Sequence, residues 1–313
     1  SIVAAVETAW SVPAKFTAGF LAIGLALIII GGVKRIAHFA QVAVPLMALG
    51  YIAISLVVVV INIDMVPAVF KLIVSSAFGL DAGYGAIIGL AVQWGVKRGV
   101  YSNEAGQGSG PHPAAAAEVS HPVKQGLVQA FSVYIDTLLI CSATAFMILL
   151  TGMYNVENAD GGFLYEGMPN AVAGPAYVQA AFDTILPGFG SSILAIALLF
   201  FAFTTIVAYY YIAETNVMYI NRKVHRPWLA NLLKLLVLTS VVYGGIKSAD
   251  LAWALGDVGV GIMAWLNIVA IIILQKPAML ALKDYESQLD DGLDPVFDPV
   301  KAGIENADFW VKK

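Results

Sequence analysis

Residues 102–110 read SNEAGQGSG, a stretch that sets two amides, a carboxylate and two hydroxyls among glycines between apolar runs. Upstream lies AGYGAIIGLAVQWGVKRGVY; downstream, past PHPAAAAEV, lies KQGLVQAFSVYIDTLLICSATAFMILL. Backbone N–H and C=O groups cannot face lipid unpaired, because each unsatisfied group costs several kcal/mol. A break holding Asn103, Glu104 and Gln107 therefore belongs either at a membrane surface, as an ordinary loop, or along a protected cavity. Broken helices with open backbone groups are how secondary transporters build ion and substrate sites.

A second polar cluster is FFAFTTIVAYYYIAE, residues 200–214. Thr204 and Thr205 are adjacent hydroxyls within an apolar run. Sodium is a hard cation that takes oxygen ligands, and its single charge needs no carboxylate cage. The alternative is that each hydroxyl bonds back to a carbonyl one turn earlier. Tyr209 follows Thr205 by four residues, so both project from one helix face. A hydroxyl and an aromatic on one face suit a small polar solute, or Tyr209 packs between helices. Asp136 and Asp257 fall within apolar runs, where a charge is expensive and faces a cavity or a partner. For both, a structural role bonding hydroxyls or backbone N–H groups stands beside a place on an ion pathway. Lys234 can snorkel to the inner surface, and Glu214 is close enough to that surface to be solvated.

The elements that must position these residues are membrane helices. The chain is 59% hydrophobic and 12% charged, with mean hydropathy +0.81. An apolar run of about 20 residues crosses the hydrocarbon core. The runs 16–32, 42–61, 83–100, 126–151, 191–211, 229–246 and 251–274 qualify, giving about seven spans. They are continuous and show no strand alternation, so the fold class is all-α, a polytopic transmembrane helical bundle. Lys34, Arg35, Lys97, Arg98, Lys124, Arg222, Lys223, Arg226 and the tail from Lys276 fall in alternate connections. The opposite connections hold Lys15, Lys71 and Lys247, and residues 153–190 hold neither Lys nor Arg. The basic side is cytoplasmic by the positive-inside rule, which sends the first residues outward. A chain that begins Ser-Ile-Val on the outside, without a signal peptide, is expected to be a fragment lacking earlier helices.

Other chemistries find no support in the residue pattern. Cys141 is a lone mid-span cysteine, read as a small packing residue. No cysteine–histidine spacing suggests zinc, no GxxxxGK[ST] suggests nucleotide hydrolysis, and no nucleophile elbow suggests a hydrolase. GQGSG follows an apolar span rather than a strand, against a dinucleotide site. The net charge of −4 lies in an outer loop (Glu157, Asp160, Glu166, Asp183) and an acidic tail (Asp284, Glu286, Asp290, Asp291, Asp294). The reading is therefore a protein that is not an enzyme, binds no nucleic acid and has no organic cofactor. His38, His112, His121 and His225 fall in or beside cytoplasmic connections and read as solvated loop residues.

Arg98-Gly99, Ser102 through Gly106 and Gly108-Ser109 resemble the signature of the alanine/glycine:cation symporters. The likeness continues through AAAAEVSHPVKQGLVQ (114–129), DTLLICSATA (136–145), FFAFTT (200–205), GGVKRIA (31–37) and VPAVF (66–70). It resumes in the tail from Asp294-Pro295 to Asn306-Ala307-Asp308-Phe309-Trp310.

That resemblance implies sodium-coupled symport of a small neutral amino acid, alanine or glycine, by alternating access across the plasma (inner) membrane. It also implies a LeuT-like fold of two inverted five-helix repeats, each beginning with a helix broken at mid-membrane. The spans here would be the fourth to tenth core helices over residues 1–278, with a cytoplasmic C-terminal tail at 279–313. The stretch 102–110 would belong to the broken sixth helix and Thr204–Thr205 to the eighth. By the same resemblance Thr204 and Thr205 coordinate sodium, while Asn103, Thr205, Ala208 and Tyr209 line the substrate pocket. Glu104, Asp136 and Asp257 are carried as structural or ion-pathway residues. Two departures stand out: the family's FFAFTTIxGWSYYGE reads FFAFTTIVAYYYIAE here, with Ala208-Tyr209 for Gly-Trp, and the 153–190 connection is long. The partners implied are the amino acid, the bilayer and the missing N-terminal helices. The competing readings are a proton-coupled transporter and a transport-incompetent fragment or binding protein.

Overall fold

The computed structural model describes residues 2–30, 33–78, 86–157, 161–171, 174–224, 226, 228–246, 249–307 and 310. His225, Lys247, Asp160, Asp308, Phe309 and the starts of the 31–37 and 83–100 stretches lie outside the described residues. In chain order the helices are α1 (Ile2–Trp10), α2 (Ala14–Ile29), α3 (Val33–Ile61), α4 (Val66–Phe78), α5 (Ala86–Asn103) and α6 (Pro111–Ala116). They continue with α7 (Pro122–Tyr134), α8 (Ser142–Thr151), α9 (Pro175–Asp183), α10 (Gly190–Val224), α11 (Trp228–Ile246) and α12 (Ala249–Asp290). A 3₁₀ turn, Ile63–Met65, precedes α4, and a π-helical segment, Ile135–Cys141, joins α7 to α8. Strands β1 (Asn155–Glu157) and β2 (Phe163–Glu166) pair antiparallel.

Among the described residues, five helical stretches are long and apolar enough to cross a membrane: Gln41–Ile61, Pro122–Thr151, Gly190–Lys223, Trp228–Ile246 and Trp253–Asp290. They answer to five of the seven expected runs. The other two fall on α2, a shorter apolar helix, and on α5. Apolar side chains point outward along these helices; Trp265 is 73% exposed and Ile273 70%. Pro45 and Pro277 lie inside α3 and α12. Proline removes a backbone hydrogen bond, a loss that neighbouring groups can make good in membrane helices.

The chain divides into two compact units, Ser1–Gln93 with Leu138–Trp253, and Trp94–Thr137 with Ala254–Lys313. In the first, α10 packs on α1, α3, α9 and α11, and α2 packs on α11. Its core has three clusters: Ile2, Ala5, Val6, Leu21 and Ala195; Leu25, Ile29, Val207 and Tyr210; and Tyr51, Val58, Met147, Phe182 and Leu194. Small residues let α2 and α11 approach closely, as membrane helices do. A Cβ on Gly245 would stand 2.8 Å from the Cβ of the fully buried Ala18.

In the second unit, residues 294–297 fold back on the corner where α7 begins. His121 caps α7, its Nδ1 accepting from Val123 N–H at 3.2 Å, and Nε2 lies 3.2 Å from Asp284 Oδ2. Phe297 N–H donates to Ser120 O, Ser120 Oγ donates to Pro295 O, and Lys124 bonds Asp294. His121 is fully buried between the rings of Tyr285 and Phe297. The reading of His121 as a solvated loop residue is thereby corrected. Its neighbours Pro122 and Val123 begin a helix whose first N–H groups need an acceptor, and the imidazole supplies one.

Candidate functional site

In the first unit the candidate residues stand on α10. Helical spacing sets Thr205, Ala208 and Tyr209 on one face, and all three are exposed; Val207 and Tyr210, on the other side, are 1% exposed. Both hydroxyls bond back along the helix. Thr204 Oγ1 donates to the carbonyls of Phe200 and Phe201, each at 2.9 Å, and Thr205 Oγ1 donates to Phe201 O at 2.9 Å. The local bonding alternative is thus present, and it leaves the oxygen lone pairs available, since a hydroxyl has one proton to donate and two acceptor positions. One turn on, Tyr210 Oη donates to Glu214 Oε1 at 2.8 Å. Glu214 Oε2 is buried without a partner among the described residues, so Glu214 is not simply solvated.

Nearer the N-terminal end of α10 lies a cavity of about 230 Å³ lined by Leu46, Gly50, Tyr51, Ile54, Phe182 and Phe200 among others. Its walls are almost wholly apolar. They offer no ligand set for a cation, which sets the cavity apart from the threonine face. The Tyr51 ring, edge-on to Phe182 and Phe201, turns its hydroxyl to Thr144 Oγ1 at 2.7 Å.

In the second unit, α5 ends at Asn103 and the chain turns irregularly until α6. Three residues in that stretch take the left-handed backbone: Glu104 (φ 57°), Gly106 (φ 79°) and Gly108 (φ 87°). Glycine adopts this region without steric penalty; for glutamate it is a strained, uncommon choice. The end of α5 is capped by its own loop. Asn103 Oδ1 accepts from Ala105 N–H at 2.9 Å, and Gln107 Nε2 donates to Val100 O at 2.6 Å. Asn103 Nδ2 donates to Thr137 Oγ1 at 3.1 Å, and Asn267 Nδ2 donates to Gly106 O at 3.0 Å. Gly108 approaches Asn267 so closely that a Cβ would stand 3.2 Å from it. Gln107 Oε1 and Ser109 Oγ are buried without a hydrogen-bond partner among the described residues. His112 Nδ1 lies 3.1 Å from Gly108 O and 3.3 Å from Ser109 O, so it too is bonded rather than a free loop residue.

Asp136 and Thr137 both sit in the π-helical segment. Such widened turns are rare and frequent at functional sites. Asp257 pairs with Lys97 at 2.7 Å. Its other oxygen, Oδ1, is buried without a partner among the described residues. Lys97 and Arg98 lie inside α5 rather than in a connection, and Trp94 underlies both, at 4.9 and 5.2 Å from its ring centre.

The structure thus brings Thr204, Thr205, Ala208 and Tyr209 together in one unit. It brings Asn103 and Glu104 together in the other, where Asp136 and Asp257 also lie. Thr137 and Asn267 are contacts that the sequence reading does not single out. Asn267 carries the clearest available signal, a lone amide within AWLNIVA, since polar groups at membrane depth need a partner just as charges do.

Residues 1–299 match the profile of the sodium:alanine symporter family. The chain is 61% identical over all of its 313 residues to YrbD of Bacillus subtilis (strain 168) and spans 65% of that protein's length. It is 55% identical over 311 residues, 99% of the chain, to the sodium/proton-dependent alanine carrier protein of Bacillus sp. (strain PS3), spanning 70% of it. Against the sodium/alanine symporter AgcS of Methanococcus maripaludis the identity is 35% over 275 residues, 88% of this chain and 57% of that one. The chain therefore spans less than two thirds of YrbD and of AgcS. With a match that runs from the first residue through the tail contacts at Pro295 and Phe297, the chain belongs to the sodium:alanine symporter family.

Proposed function

We propose that the protein carrying this chain takes up a small neutral amino acid, alanine or glycine, together with sodium. The observation that carries the reading is the open face of α10, where Thr205, Ala208 and Tyr209 stand in line with Thr204 beside them. Each threonine directs its proton to a carbonyl of its own helix and presents oxygen lone pairs outward. Neutral oxygens suffice for a monovalent hard cation. Tyr209 and the Ala208 methyl bound the space beside those oxygens and favour a short side chain on the solute. Sodium and amino acid bound side by side each raise the other's affinity by the same factor, as linkage requires.

The wider frame belongs to the same proposal. The fold is LeuT-like, with spans corresponding to the fourth to tenth core helices. In this reading α2, of 16 residues, and α5, of 18, join the five long apolar helices as further spans. At 1.5 Å per residue α2 and α5 reach about 24 and 27 Å, close to the roughly 30 Å of hydrocarbon. Asn103 contributes to the substrate pocket, and Glu104, Asp136 and Asp257 act as structural or ion-pathway groups. Residues 1–278 form the membrane bundle of the plasma (inner) membrane and 279–313 the cytoplasmic tail, although α12 itself continues to Asp290.

A second reading, in which a proton accompanies or replaces sodium, draws on the name of the Bacillus sp. carrier, sodium/proton-dependent, and on Asp257 Oδ1, buried without a partner among the described residues. The test is uptake of labelled alanine by proteoliposomes holding the full-length protein, driven by a sodium gradient or by a pH gradient alone. Uptake with the sodium gradient at uniform pH supports symport with sodium. Uptake that needs only the pH gradient, with sodium absent, would overturn it.

A further inference from the structure

The connection between α8 and α9 carries apolar side chains that no helix packing explains. The β-hairpin presents Val156 (40% exposed), Phe163 (47%), Leu164 (70%) and Tyr165 (43%) to the surface. The pairing shifts between Val156 and Glu157, which leaves one extra residue on β2. Such a bulge twists a strand, so its apolar side chains are not confined to one face. A two-stranded ribbon is marginally stable by itself, and an exposed apolar edge strand needs a cover.

Its height along the molecule is fixed. The apolar run SATAFMILLT of α8 ends at Thr151, and Gly152 closes the helix in the left-handed conformation. The hairpin starts at Asn155 and is tied to that closing turn at several points. Tyr165 Oη donates to Gly152 O at 3.1 Å, and Gly167 N–H donates to Tyr154 O at 2.9 Å. The Tyr154 and Tyr165 rings lie 4.7 Å apart, and Asn155 closes onto both backbone groups of Met168 at 2.8 Å. Burial pushes the Tyr154 phenol up from its ordinary range, with Tyr165 adding to the effect. Thr151 ends a 30-residue candidate span whose opposite end, PVKQG, is the polar one. Counting about 20 residues back from it fills the hydrocarbon core, so the hairpin begins at the level of the lipid headgroups. Tyrosine and other aromatic side chains concentrate at that level, with an apolar body and a polar tip. Residues 153–190 contain no Lys or Arg, so an attraction to anionic headgroups is not part of the contact.

We propose that this hairpin is a membrane anchor, seated in the boundary between headgroups and acyl chains with Leu164, Phe163 and Val156 against lipid. It rests on the membrane reading of α8 and not on the transported solute. The partner is a neutral lipid surface. Seated there, the hairpin fixes the outer end of α8 relative to the bilayer.

The experiment places a nitroxide label at residue 164, and separately at residue 156, in an otherwise cysteine-free full-length protein in phosphatidylcholine nanodiscs. Asn170, an exposed residue beyond the hairpin, serves as the aqueous control. Oxygen partitions into lipid and a nickel chelate stays in water, so their relative effects on saturation of the spin signal report the surroundings. The proposal expects accessibility to oxygen to exceed that to the chelate at 164 and 156, with the order reversed at 170. Chelate accessibility at 164 and 156 equal to that at 170 would overturn it, because the strands then stand in water. Low accessibility to both reagents would overturn it as well, because protein then covers the strands. The labels replace exposed side chains, and an elution profile in detergent matching the unlabelled protein establishes that each variant is folded.

Discussion

The sharpest test of the threonine face is Thr205→Val. The two side chains have nearly the same shape, so the substitution removes a hydroxyl and little else. Thr205 Oγ1 is exposed and donates to the carbonyl of Phe201, which also receives the Thr204 hydroxyl. That carbonyl loses one of its bonds and keeps another, so folding stability changes by less than about 1 kcal/mol. The effect on a bound cation is larger. A neutral oxygen ligand withdrawn from a desolvated cation corresponds to a charge-assisted contact of about 1.5–3 kcal/mol. At 1.4 kcal/mol per decade, the sodium concentration for half-maximal uptake rises about 10- to 150-fold. Thr205→Ser keeps the oxygen and stays within about threefold of the parent, a shift of under about 1 kcal/mol.

The assay is sodium-driven alanine uptake in proteoliposomes of the full-length protein across a range of external sodium. Thermal unfolding of the same preparations is followed in parallel. Thr204 provides the contrast. Its hydroxyl is shared between two carbonyls and is less exposed, so Thr204→Val mixes ligand loss with a helix effect. Should Thr205→Val leave the sodium dependence where it was while unfolding at the parent's temperature, the hydroxyl is not a sodium ligand. The reasoning from the open face of α10 then fails.

Tyr209→Trp enlarges the wall beside Ala208 and shifts the preference between alanine and glycine by about 10- to 200-fold, read as the ratio of kcat/KM for the two. Gly245→Ala sets a methyl 2.8 Å from the Ala18 Cβ and destabilises the α2–α11 contact by about 1–3 kcal/mol, seen as a lower unfolding midpoint in detergent. A double-mutant cycle of Lys97→Ala with Asp257→Asn yields a coupling of about 1 kcal/mol, modest because both side chains are about a third exposed; independent effects would refute the pairing. His121→Ala removes a helix cap, worth about 1 kcal/mol, and the ring between Tyr285 and Phe297; His121→Asn restores the cap alone, so its unfolding midpoint lies between those of alanine and parent.

Much of this molecule is legible in the chain because lipid allows few alternatives. Apolar runs at 42–61, 126–151 and 191–211 must become helices, and they do, although α3 starts nine residues before 42 and α10 runs on thirteen residues past 211. The end of α5 at Asn103 is legible for the same reason: GQGSG supplies the glycines that a left-handed turn needs, and Asn103 and Gln107 carry groups that can cap it. What escapes sequence reading is pairing, because a partner 160 residues away leaves no local pattern. Asp257 could be flagged as costly in an apolar helix, yet its choice of Lys97 depends on how α12 packs on α5 within the second unit. Lys97, counted by sign alone, reads as a mark of the cytoplasmic side. Once its ammonium is committed to a carboxylate and to the Trp94 face, its position reports a specific contact instead of a topology. His121 fails in the same way: a histidine before a proline looks like a loop, and the acidic tail looks solvated. Yet Asp284, Pro295 and Phe297 of that tail close over Ser120 and His121. In both places a charged side chain finds its partner within the second unit, through a contact that composition alone does not disclose.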